Sequence, residues 1–351
     1  MNKEDKYVAY VGTYTRSGSV GIHVYDLQAE TGKLTERSVA PINNASYLVV
    51  SKDGKMLYSI EDEGVASFSI DENGDLTKVN SKSIGGMRGD TIAVDSKSRF
   101  LFVGGYHDGK ITVMKLNDDG SIGDITFGIF HQNLGQGFGE RHRDHPKVTS
   151  LCLTPDERFL CAVDLGLNQI KVYNIDYNTG HLELEDIVRP DIDSGVRSMK
   201  FSSDGRFAYV LTCFLNEMEV YSYRCENDEP IFELVDEINL INEPNINASA
   251  CNFSFAEDEK HIAVSIDGFN GVVLLKRDAK TGKLEKMFNT LISGDFPKSL
   301  AMFPGDKYFA ALNHDTGDIR TFNIDYKDGY ALMKNEPVKI SKPNCIVIHK
   351  I

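Results

Sequence analysis

The residues of this chain best suited to chemistry are cationic and imidazole groups that recur at one register. Two positions ahead of the first apolar residue of a repeated strand stand Ser46, Asp90, Thr149, Arg197, Cys251 and Lys298. Just after the following strand stand Tyr106-His107, Asp164-Leu165-Gly166, Thr212-Cys213, Asp267-Gly268 and Asn313-His314. One long connection, FHQNLGQGFGERHRDHPK (130–147), adds Glu140, Arg141, His142, Arg143, Asp144, His145 and Lys147. Long connections in compact domains are more often functional than decorative. Arg88, Arg143, Lys147, Arg197 and Lys298 offer positive charge for an anion. His142, His145 or His314 offers a group that exchanges a proton near neutral pH. The bland alternative is that these cations pair with Asp90, Asp144, Asp164 and Asp267.

Other chemistries lack their patterns. His142 and His145 lie three apart in a Gly-rich stretch with no further ligand set spaced for zinc, so no metal is expected. GQGFG (135–139) is not followed by a helical pattern, as a phosphate loop would be. There is no GxSxG elbow. His23, His181 and His349 fall in strand or hairpin patterns and read as structural.

The elements that must position these groups are repeated strands. A strand, a charged turn and a second strand recur in LVVSKDGKMLYSI (48–60), IAVDSKSRFLFVG (92–104), LCLTPDERFLCAV (151–163), MKFSSDGRFAYVL (199–211), FSFAEDEKHIAVS (253–265) and LAMFPGDKYFAAL (300–312). Seven alternating segments accompany them, six with Asn-Gly, Asp-Gly or Thr-Gly turns, for example IKVYNIDYNTGHL (170–182), and these are hairpin signatures. Each unit supplies four strands, A to D, in about fifty residues, the period of a propeller blade. YVAYVGTYT (7–15) matches strand B, and CIVIHK (345–350) can supply the missing strand A. The prediction is a single all-β domain over 1–351, a seven-bladed β-propeller of four antiparallel strands per blade. One blade is closed by the N- and C-terminal strands, with Val8 to Thr13 in strand B and Ile346 to Ile348 in strand A. A two-domain β-sandwich, the competing reading, does not repeat one motif at this period. In an antiparallel meander the D-to-A and B-to-C loops share one face. The unusual residues gather there, which places the site at that channel mouth.

Composition narrows the partners. With 38 Lys and Arg against 52 Asp and Glu the net charge is −14, which argues against a nucleic-acid backbone but says little about a small anion in its own pocket. No apolar run reaches the length of a membrane span. Six scattered cysteines without a CxxC, and no secretory signal pattern, fit a reducing cytoplasm.

YVGTYT near the start, TPDERFLCAVDLG (154–166), SGVRSMKFSSDGRFAYV (194–210) and SGDFPKSLAMFPGDKYF (293–309) resemble the lactonase family of seven-bladed propellers along essentially the whole chain. That family includes propeller-type 6-phosphogluconolactonases and the related carboxymuconate cyclases. Its Gly-Pro-Arg-His corresponds to Gly195-Val196-Arg197-Ser198 here, its Asn-Glu to Thr212-Cys213, and its Ser-Asn-Arg-Gly to Ser265-Ile266-Asp267-Gly268. Its later Pro-Arg corresponds to Pro297-Lys298, and the family's His falls near Lys147, two residues from His145. The resemblance implies hydrolysis of a phosphorylated sugar lactone in carbohydrate metabolism, without metal or cofactor. The candidate catalytic set is His145, Arg197 and His314: His145, closest to the family's His, is the first choice for general base, and His314, ending strand B on the same face, is the second. The candidate substrate contacts at the mouth are Arg88, Arg143, Lys147, Asp164 and Lys298. Two other readings stay open: a cyclase or lactone isomerase using the same groups, and a non-catalytic propeller that binds a small anionic ligand or a protein.

Overall fold

The computed structural model describes residues 5–132, 145–242 and 247–351. Seven antiparallel sheets are present, each a four-strand meander at its heart. The closing blade orders Pro343–Lys350, Tyr7–Thr13, Gly21–Gln28 and Lys33–Pro41 as strands A to D. Its register sets Ala9 opposite Ile348 and Val11 opposite Ile346, so the two segments expected to close this blade do pair. The other A strands are Leu48–Val50, Gly89–Val94, Val148–Leu153, Val196–Phe201, Ser249–Phe255 and Pro297–Met302, in blades two to seven.

A blade has two apolar faces and must bury both. Seven core clusters do so, one between each pair of adjacent blades. The cluster that joins blade seven to the closing blade packs Ala310, Leu312 and Ile319 against Ala9, Val11, Tyr25 and Leu27. The ring is therefore continuous, and joining the two chain ends within one sheet removes the unpaired inner edge that an open array would leave.

Blades are also locked by directed bonds. The strand-B tyrosines Tyr10, Tyr58 and Tyr209 donate to the carbonyls of Gly74, Gly120 and Gly282, at 2.8, 3.1 and 2.9 Å. Each acceptor lies in the C–D turn of the next blade. Those glycines have φ of 82°, 79° and 76°, a conformation that costs other residues a steric penalty. Such locks fix the angle between neighbouring blades and so fix where each strand A delivers its first residues.

Blade seven carries one element the repeat did not predict. Its strand D, Tyr330–Met333, pairs only with the far end of strand C, and Val338–Lys339 pairs with Ile319 and Asp318 to complete that edge. Among the described residues, no helix is long and apolar enough to cross a membrane.

Candidate active site at the channel mouth

Strand A enters six of the seven blades through a kink. In six blades the A–B register skips one residue, and the skipped residues are Asp90, Thr149, Arg197, Cys251, Lys298 and Asn344. A bulge re-aims one side chain out of the ladder. Five of these residues are the ones the repeat aligns at one offset. Asn344 occupies the same offset in the closing blade, two positions before Ile346, and was not among the sequence candidates.

These side chains are tied from blade to blade. Thr149 donates to the carbonyl of Arg197 at 2.6 Å, and Arg197 Nε donates to the carbonyl of Cys251 at 2.9 Å. Asn344 donates to the carbonyl of Ser46 at 3.1 Å. The bonds hold the bulge residues as a rim around the channel.

The cations converge on one aromatic ring. The Arg88 guanidinium lies 5.0 Å from the centroid of Tyr14, and the Lys298 ammonium lies 4.8 Å from it. Arg88 also donates to the carbonyl of Asn44 at 2.5 Å. Among the described residues, Arg88, Arg197 and Lys298 form no ion pair. This answers the bland alternative for these three: their charge is not spent on neighbouring carboxylates. His314 meets Tyr14 edge-on at 5.6 Å and Phe296 at 5.4 Å. Its Nδ1 lies 3.0 Å from the carbonyl of Pro343, a contact in which only the ring nitrogen can donate. Burial first, then Lys298, holds its pKa below the ordinary histidine value, so the ring is neutral at pH 7.

The seven-bladed β-propeller lactonase family model matches residues 8–348. This chain belongs to that family. The 6-phosphogluconolactonase of Bacillus subtilis is 27% identical over 354 residues, covering 99% of each chain. A solved structure from Bacteroides fragilis is 25% identical with a TM-score of 0.90, covering 99% of each chain. The periplasmic gluconolactonase of Pseudomonas aeruginosa shares the fold at 23% identity, with a TM-score of 0.90 over 98% of this chain and 99% of that one.

Within this lactonase-family propeller the remaining candidates separate. Asp164 is fully buried. One oxygen accepts the N–H groups of Lys147 and Leu167 at 2.8 and 2.9 Å, and the other meets His131 Nδ1 at 2.6 Å. Asp164, expected as a substrate contact, clamps the chain as it enters blade four. Lys147 is buried too, with its ammonium 5.9 Å from the Tyr106 ring. His145 is half-buried, and its carbonyl presses on Gly166, where a Cβ would come within 1.9 Å. Arg143 and His142 lie outside the described residues.

The two thiols beside Arg197 are not nucleophiles. Burial pushes Cys251 up to about 11 and raises Cys213 as well, despite Arg197, so both stay protonated at neutral pH. Among the described residues no cluster suited to a metal ion occurs.

Proposed function

We propose that this protein opens a sugar lactone carrying an anionic group, 6-phosphogluconolactone being the first substrate to test. The observation that carries the reading is the set of three unpaired cations, Arg88, Arg197 and Lys298, delivered to one channel mouth from different blades. An anion in that position gains charge-assisted hydrogen bonds without first breaking an internal ion pair. The name of the Bacillus relative supports the phosphorylated substrate.

The chemistry follows from the charge distribution. Water attacks the lactone carbonyl, and negative charge grows on its oxygen. A cation fixed at that position before reaction stabilises the charge without reorganising. Arg197 is held through Nε, so its remaining donors have a defined direction. Lys298 and Arg88, braced on Tyr14, hold the phosphate or carboxylate of the substrate. The six cysteines are unpaired, which supports work in a reducing compartment such as the cytoplasm.

The test compares 6-phosphogluconolactone with unphosphorylated gluconolactone, each corrected for spontaneous opening. The reading expects a lower KM for the phosphorylated lactone. Ligand binding with no rate above the spontaneous one would replace hydrolysis with a binding role.

A further inference from the structure

Asp90 leaves the ladder at the bulge of blade three and stands half-buried at the mouth. Among the described residues its carboxylate accepts no hydrogen bond and makes no ion pair. Nevertheless it lies in the field of Lys298 from blade seven, Arg197 from blade five, Arg88 from the adjoining loop and His107 from the loop after strand B. Blades three, five and seven are not neighbours, so these fields meet across the channel. Asp90 is thus a carboxylate at the rim, on the same bulge register as Arg197 and Lys298, that is bonded to none of these cations.

We propose that Asp90 is the proton-transfer group of the hydrolysis, taking a proton from the attacking water and returning it to the ring oxygen that leaves. The proposal rests on the hydrolase reading above. As water oxygen bonds to the carbonyl carbon, one of its protons passes to the Asp90 carboxylate and the C=O electron pair moves to oxygen. When the C=O re-forms, the bond from carbon to the ring oxygen breaks. That oxygen takes the proton from Asp90 and becomes a hydroxyl. The product is the open hydroxy acid, and Asp90 is again ionised.

The surroundings suit this role. Burial pushes the Asp90 carboxyl above the ordinary carboxylate range, opposed by Lys298, Arg197, Arg88 and His107. A carboxylate with a raised pKa is a stronger base toward water than an ordinary one. Tyr47, from the loop entering blade two, also senses Asp90, but burial lifts its phenol to about 12 and it stays neutral. His314 is a poorer base at this place, because burial and Lys298 depress its affinity for a proton.

The experiment measures lactone opening and calorimetric binding of 6-phosphogluconate for wild type, Asp90→Asn, Asp90→Glu, His145→Ala and His314→Ala. Asp90→Asn should lower kcat on the order of a hundredfold or more while 6-phosphogluconate binds as well or more tightly. Asp90→Glu should recover part of the rate. In wild type, kcat/KM should rise as a carboxyl loses its proton, and this acid limb should persist in both histidine variants. If Asp90→Asn keeps more than a third of wild-type kcat, or loses binding in step with kcat, Asp90 is not the proton-transfer group and the hydrolase reading stands. If wild type never exceeds spontaneous opening, the hydrolase reading fails and the role of Asp90 falls with it.

Discussion

Arg197 of blade five donates from Nε to the backbone carbonyl of Cys251 in blade six, 2.9 Å away. A side chain freed from its own ladder by a bulge is thus anchored on the next blade. The bond fixes the guanidinium plane, and the planar fork suits a carboxylate or phosphate better than a point charge does. Removing it should cost about 1.5–3 kcal/mol of anion binding, or roughly 10- to 150-fold in KM. Arg197→Ala and Arg197→Lys, compared by KM and by calorimetry with 6-phosphogluconate, check this. Lysine should fall between alanine and wild type, since it keeps charge but not the Nε anchor. A folded Arg197→Ala protein with unchanged KM would remove Arg197 from the binding set.

Tyr14 braces two cations with its ring face rather than with its hydroxyl. Each such contact contributes about 0.5–1 kcal/mol at an exposed site, more when water is excluded. Tyr14→Leu should therefore raise KM severalfold, whereas Tyr14→Phe should leave it near wild type. Equal effects of the two substitutions in steady-state kinetics would show that the hydroxyl, not the ring, matters.

Stability should fall as pH drops below about 6.5, the unfolded histidine value. His131, His314 and His349 all have depressed folded-state values, burial being the first cause for each. A group whose folded value lies below its unfolded one binds more protons when unfolded. Acid therefore favours unfolding from that unfolded value downward, and stability is regained as pH rises back through it. Urea midpoints at pH 7.5 and 5.5 should show the loss, and His131→Gln should reduce it. A midpoint that is flat or higher at pH 5.5 would contradict this.

The fold was legible because strand alternation and turn chemistry are local, and seven repeats of one pattern leave little choice of architecture. Closure was legible too, since residues 345–350 have the alternation of a strand A with no partner elsewhere in the chain. The bulge positions could be read as an offset, and Asn344 follows from the same count once the closing strand is aligned. The bonds of Asp164 were not legible, because a loop carboxylate looks the same in sequence whether it meets a ligand or two backbone N–H groups. Asp90 was read only as a partner for a cation. Its separation from Arg88, Arg197 and Lys298 depends on strands that the ring holds apart, and no local pattern encodes that distance. Tyr14 sits in a family motif, but the cations stacked on it come from residues 88 and 298.

The central claim is that the cationic mouth turns over a lactone. The most direct measurement is the opening of freshly made 6-phosphogluconolactone by wild type, with the spontaneous rate subtracted and with Arg197→Ala and Lys298→Ala measured alongside. The account predicts a saturable rate above the spontaneous one, with KM raised in both variants. A wild-type rate indistinguishable from spontaneous opening at every enzyme concentration would contradict it.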